Sequence, residues 1–283
     1  MIEEANISLA KACSNLKMSR SSYYNWKTKE EPEDADKHIR KEIEGIVLEF
    51  PFYGYRRVTK ELCRRKISVN HKHVSRIMKE DNLIRRRKKA FRPVTTDSNH
   101  NYNIYPNLIK NIKVTGLNQV WVADITYVQL PQGFIYLAAI MDIFSRKCIG
   151  WALGRDINAL LAIDALNMAV TNRKKFGFVK LIHHSDRGVQ YASNEYVELL
   201  DKNGIKISMS SSGNPYDNAF AESFNKTLKV EEIYINEYET FEDALKNIKH
   251  FIEIVYNKKR LHSSIGYVPP EEFEKGALKK AKL

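Results

Sequence analysis

Apolar positions along this chain change their spacing twice. From Ile7 to Met78 they recur at helical intervals; from Val120 to Leu153 they form near-continuous blocks split by short polar turns; beyond Leu160 blocks and helical stripes alternate. In the first region, Ile7, Leu9, Ala10 and Ala12 predict a short helix, Leu16-Lys17-Met18 a turn, and Ser19 the N-cap of a second helix through Tyr23, Tyr24 and Trp26. This pair resembles half of a helix-turn-helix, and a hairpin that only packs is the competing reading. Lys29 to Asp36, with Pro32, reads as a linker. The stripe Ile39, Ile43, Ile46, Val47 and Phe50 predicts a helix stopped by Pro51. Arg56 to Lys66 predicts a second, with Val58 and Leu62 inward. After the turn Ser68-Val69-Asn70, with Asn70 as N-cap, His71 to Lys79 predicts a third, with Val74, Ile77 and Met78 inward. Helix, short turn, helix is a DNA-recognition layout. The polar stretch Thr95 to Pro106 is expected to be an exposed linker.

The second region predicts strands at Val120 to Leu130, Phe134 to Phe144 and Cys148 to Leu153, joined by tight turns into an antiparallel meander. The second run is apolar throughout and is expected to be buried on both faces. A helix follows at Leu160 to Val170, a fourth strand at Val179 to His183, a helix at Asn194 to Leu200 ended by Asn203-Gly204, and a fifth strand at Ile205 to Met209. Asn214-Pro215 is expected to cap and open a helix carrying Glu222. Helices at Phe241 to Tyr256 and Pro270 to Gly276 close the chain, with a frayed basic tail from Leu278. The order β1-β2-β3-α-β-α-β-α is that of an α/β, RNase H-like core, preceded by small all-α helix-turn-helix segments. The implied divisions are a helical hairpin at 1–30, a basic helix-turn-helix-like unit at 37–92, a linker at 93–115, the catalytic core at 116–232 and C-terminal helices packed on it at 233–283.

Composition narrows the function. The 283 residues are 43% hydrophobic, enough for a real core. No apolar run approaches the roughly 20 residues that span a bilayer, and Met1-Ile2-Glu3-Glu4 lacks a secretory signal, so a cytoplasmic protein without membrane partners is expected. Cys13, Cys63 and Cys148 are too scattered for a disulfide framework or zinc knuckle, and His71 and His73 lack a second ligand pair. Net charge is +12, and residues 37–92 carry all of the excess, with 18 Lys and Arg against 6 acids. That stretch has no wide apolar face with aromatic anchors, so nucleic acid is a better partner than a membrane surface.

Three carboxylates carry the candidate chemistry. Asp124 interrupts a strand, where Asp is disfavoured; Asp186 follows a strand end; Glu222 lies on a helix with Phe220, Phe224 and Leu228 as its apolar face. Taken singly, each has an ordinary reading: an edge-strand Asp, a turn cap before Gly188, a surface Glu beside Lys226 and Lys229. Taken together on an RNase H-like frame they converge, and three oxygen-bearing groups suit two hard Mg²⁺ ions in phosphoryl transfer. His183, His184 and Arg187 flank Asp186 and are candidates for the scissile phosphate, with packing favoured for the histidines. Arg85, Arg86, Arg87, Lys88 and Lys89 join the basic helical unit to the core and are expected to touch DNA phosphates, as are Lys72 and Arg76 on its last helix.

These residues sit in longer strings: Trp121-x-x-Asp124-Ile-Thr-Tyr127, Asp142-x-Phe144-Ser145-Arg146-x-x-x-Gly150-Trp151, His183-His184-Ser185-Asp186-Arg187-Gly188-x-Gln190-Tyr191, Asn214-x-Tyr216-Asp217-Asn218-Ala219-x-x-Glu222-x-Phe224-x-x-x-Leu228-Lys229, and Tyr256-Asn257-x-x-Arg260-x-His262-Ser263-Ser264-x-Gly266-Tyr267-x-Pro269. From about Pro51 to Phe273 the chain resembles the integrase-type, second-reading-frame (orfB) transposases of insertion-sequence family three, and more distantly retroviral integrase cores. The resemblance implies Mg²⁺- or Mn²⁺-dependent strand cleavage and strand transfer. It makes Asp124, Asp186 and Glu222 the catalytic metal ligands and Lys229, with Lys226, a DNA contact. It also implies terminal inverted repeats and target duplex as partners, a homo-oligomer on DNA, and fusion to or association with the upstream-frame (orfA) product. An idle DNA-binding regulator and an RNase H-like nuclease are the alternative readings.

Overall fold

The structure is a computed structural model that describes residues 8–27, 36–84, 102–211 and 218–280. Helices α1 (Leu9–Asn15) and α2 (Arg20–Lys27) form the expected hairpin, and Ser19 Oγ accepts the Ser22 amide at 3.0 Å as the N-cap. Helices α3 (Lys37–Glu49), α4 (Tyr55–Arg64) and α5 (His71–Glu80) form a three-helix unit. Its core is the predicted stripe: Ile43, Ile46, Val58, Leu62, Val74, Ile77 and Met78, all fully buried. Asn70 caps α5 by accepting the Lys72 amide at 2.8 Å.

The core domain is a five-stranded sheet of order β3-β2-β1-β4-β5. β1 (Val120–Leu130), β2 (Gly133–Asp142) and β3 (Cys148–Gly154) form the antiparallel meander; β4 (Ile182–Ser185) and β5 (Lys206–Met209) add parallel to β1. Period-two alternation divides β1 between two cores. Trp121, Ala123 and Ile125 pack toward α6 (Ala159–Arg173) and α8 (Asn194–Lys202); Val120, Val122, Val128 and Leu130 pack toward α9 (Ala219–Leu228) and the C-terminal arm. This three-layer arrangement is the RNase H-like α/β layout. A short helix α7 (Val189–Ala192), unpredicted, follows β4.

Several expectations shift. The fourth strand lies at Ile182–Ser185 rather than Val179 to His183: Lys180 has a positive φ of 58°, and pairing starts where the Ile182 amide reaches Gln119. Of the expected exposed stretch, Tyr102, Asn103, Ile104 and Pro106 are exposed and Tyr105 is half-buried; beyond it the Leu108 amide donates to Ser208 Oγ at 2.9 Å and Ile109 and Val114 join the hydrophobic packing. The expected cap Asn214-Pro215 lies outside the described residues, as do Arg85 to Lys89. Helix α9 runs on into a π-helical turn, Lys229–Ile233. Helix α10 (Phe241–His250) continues as a π-helical stretch, Phe251–Lys259, and α11 (Pro270–Lys280) is longer than expected. Among the described residues no helix is long and apolar enough to cross a membrane.

Candidate active site

The parallel register of β1 and β4 sets Val122 beside His184. β4 ends at Ser185, so Asp186 follows directly on the strand beside β1, near enough for its charge to act on Asp124. The Trp121-x-x-Asp124 spacing explains how the first acid is held. Trp121 is fully buried on the opposite face and donates its indole N–H to Asn118 Oδ1 at 3.2 Å, which fixes the strand's rotation. Asp186 Oδ1 accepts the Gly188 amide at 3.0 Å in a tight turn. Arg187 donates Nε to the Ser210 carbonyl at 2.8 Å, tying that turn to the end of β5.

Helix α9 covers the Asp124 side of the sheet through Ala221, Phe224 and Leu228. Two asparagines register it. Asn218 donates Nδ2 to the Ala123 carbonyl at 3.0 Å, and Asn225 donates Nδ2 to Asp124 Oδ2 at 2.8 Å. Sequence reasoning missed Asn225 and left Asn218 without a role; an amide side chain on a helix carries no signal until its neighbour is known. Phe220, expected in the apolar face, is half-buried under the Arg146 guanidinium, 4.1 Å from its ring centre, and Ala221 takes its place inside. Glu222 is exposed, one turn before Asn225. Lys226 is exposed, whereas Lys229 is half-buried with its ammonium 3.7 Å from the centre of the Tyr127 ring.

Burial, then the charge of Asp186 and lastly that of Glu222, push the Asp124 carboxyl up to about 7, against hydrogen bonds from Asn225 and the Ile125 amide. Among the described residues no three His, Cys, Asp or Glu groups are gathered tightly enough to hold a metal ion as they stand. The donor set still fits hard divalent cations: it is all carboxylate oxygen, and the charges of Asp186 and Glu222 both act on Asp124.

The flanking side chains make contacts within the fold. His183 is buried, its Nε2 2.9 Å from Tyr196 Oη; burial and the neighbouring His184 hold it down to about 3, so its ring stays neutral. His184 Nδ1 lies 2.8 Å from Ser208 Oγ, and buried Gln190 donates to the Ile157 carbonyl at 3.4 Å. Asp142 accepts the amides of Asn118 and Phe144 at 2.8 and 2.9 Å and so shapes the β2–β3 turn. In the helical unit Lys72 is exposed at the start of α5. Arg76 is engaged internally, donating to Asp36 and Glu80 at 2.8 and 3.0 Å.

Known families match both the helical unit and the sheet-bearing part of the chain. Two models described as integrase core domain match residues 115–215 and 203–270, and one described as HTH-like domain matches residues 33–91. The insertion element IS600 uncharacterized 31 kDa protein of Shigella sonnei is 39% identical, over 92% of this chain and 96% of its own length. Transposase InsF for insertion sequence IS3A of Escherichia coli (strain K12) is 34% identical, over 96% and 95%. Among solved structures, the catalytic core domain of BIV integrase aligns with 59% of this chain and 99% of its own, at 20% identity and a TM-score of 0.41.

Proposed function

The chain belongs to the integrase-core transposases of insertion-sequence family three, and on that premise we propose that it cleaves an element's DNA ends and joins them to new strands by metal-dependent phosphoryl transfer. The observation that supports the reading at residue level is that the helix carrying Glu222 is bonded to Asp124 through Asn225, while Asp186 follows β4, the parallel neighbour of β1. Asp124, Asp186 and Glu222 are the residues to hold two Mg²⁺ or Mn²⁺ ions. Such ions, when bound, make a water or 3′-hydroxyl nucleophilic and stabilise the leaving oxygen.

The rest of the work falls to the chain itself. Asn225 holds Asp124 Oδ2 and the Ile125 amide holds Oδ1, each oxygen keeping a lone pair for a cation. Asn218 anchors the start of α9, so Glu222 approaches from a set direction. Lys226, with Lys229 behind it, supplies positive charge along a strand leaving Glu222. Arg187 acts through the Asp186 turn. Lys72 on α5 and the basic run Arg85, Arg86, Arg87, Lys88 and Lys89 are proposed to hold duplex phosphates, with Arg76 reaching DNA only by giving up an internal pair. Element ends and target duplex are the proposed partners, in a homo-oligomer on DNA and with the upstream-frame product.

Asp124→Asn, Asp186→Asn and Glu222→Gln keep side-chain size and remove a cation-binding charge. Each is expected to abolish cleavage and joining on end-containing duplex while gel-shift affinity holds. Near-normal joining by any one of them overturns the assignment.

A further inference from the structure

The string Tyr256 to Tyr267 has no part in the chemistry above, yet it touches both bodies the reaction needs. Toward the core, Asn257 takes both backbone groups of Cys148 on β3, accepting its amide at 3.0 Å and donating to its carbonyl at 2.9 Å. The Tyr256 ring stands edge-on to Phe224 of α9, centres 4.9 Å apart. Arg260 donates twice to Glu231, at 2.7 and 2.6 Å, in the turn that prolongs α9. The side chains of that pair are only 5% and 14% exposed. Toward the helical unit, the very next residue, Leu261, is fully buried in the core formed by Ile43, Ile46, Val58 and Leu62. Its amide donates to Tyr53 Oη at 2.7 Å. Exposed pairs flank the joint, Lys259 with Glu49 and Arg64 with Glu272, and contribute little by comparison.

Two consecutive residues therefore grip opposite bodies. A flexible tether would let the helical unit sample many orientations. A doubly hydrogen-bonded, nearly buried ion pair followed by a buried leucine does not. We propose that the Arg260–Leu261 joint fixes the α3–α5 unit relative to α9, and so sets which phosphodiester meets Asp124, Asp186 and Glu222 at a given distance from the DNA that unit grips. Arg260 and Leu261 are positioning residues in this scheme. The inference rests on the strand-cleavage reading of the site and deepens it.

The test uses the full chain. Cys63 is exposed on α4, while Cys13 and Cys148 are buried. A spin label on Cys63 and a second on Glu195→Cys, exposed on α8, report the distance between the two bodies. Wild type should show one narrow distance. Arg260→Gln, Glu231→Gln and the milder Tyr53→Phe should broaden it, and the exchange Arg260→Glu with Glu231→Arg should narrow it again. On end-containing duplex, wild type should cut at one phosphodiester. The broadened variants should cut at neighbouring positions as well and join at least about tenfold more slowly, the scale expected of small misplacements. Arg260→Gln could fail to fold, since it leaves Glu231 buried alone; Tyr53→Phe keeps its ring and loses one hydrogen bond. Folded Tyr53→Phe and Glu231→Gln variants with wild-type distance widths and a single cut overturn the joint. Should wild type make no metal-dependent cut, the cleavage reading falls, and the distance distributions alone decide the joint.

Discussion

At the scale of single residues, the telling group is Asn225. It is buried, and its amide holds one oxygen of Asp124 at 2.8 Å. Hydrogen-bonding partners of metal-binding carboxylates typically carry about 10–100-fold in affinity or activity. Asn225→Ala is expected to raise the Mg²⁺ or Mn²⁺ concentration needed for half-maximal joining by that order, with melting temperature little changed. Normal metal dependence would return Asn225 to a packing role. Lys229 and Lys226 part company in the same way. The ammonium of Lys229 over Tyr127 is a cation–π contact of about 0.5–1 kcal/mol. Lys229→Ala should therefore lower the melting temperature slightly as well as slow joining, whereas Lys226→Ala should slow joining alone. Equal melting curves for the two variants would count against that division. The three acids were legible as residue types on a strand, a strand end and a helix. Asn225 was not, because its value depends on a strand 101 positions away.

At the scale of elements, the meander and its helices could be read from period alone, since alternation and stripes report which face is buried. What escaped was set by backbone pairing. The apolar Val179 suggests strand, yet it is 82% exposed, and β4 begins only where Gln119 offers a partner. The π-helical turns after α9 and α10 leave no mark in composition either. Gly150 shows the converse, a sequence feature whose reason appears only in the packing. A Cβ there would meet the Ala165 carbonyl and come within 2.7 Å of Ala169 Cβ, so α6 can lie on β3 only over a glycine. Gly150→Ala should force α6 away and cost about 1–3 kcal/mol, the usual range for overpacking. Denaturant titration measures it; an unchanged midpoint would mean that α6 shifts freely.

At the scale of the whole molecule, basic charge and DNA contact separate. The sequence places an excess of 18 basic over 6 acidic residues in 37–92, which suggests a uniformly positive unit. The folded unit spends much of that charge internally. Arg40 pairs with Glu80 and Asp81, Arg65 with Glu42, Glu49 and Glu61, and Arg76 with Asp36 and Glu80. Sequence distance hides such pairs, as it hides Leu261 filling a core more than 170 positions earlier in the chain. Lys72 and Lys79, exposed along α5, make no ion pair among the described residues and are better placed to neutralise phosphates. Each phosphate contact adds about one unit to the slope of log affinity against log salt. Lys72→Ala should therefore reduce that slope by about one and weaken binding to all duplexes alike. Arg65→Ala removes equal formal charge but takes a shared partner from Glu42, Glu49 and Glu61, so it should leave the slope nearly unchanged while lowering the melting temperature. Measured across a salt series, equal slopes for both variants would mean that net charge, rather than the exposed face of α5, governs DNA binding.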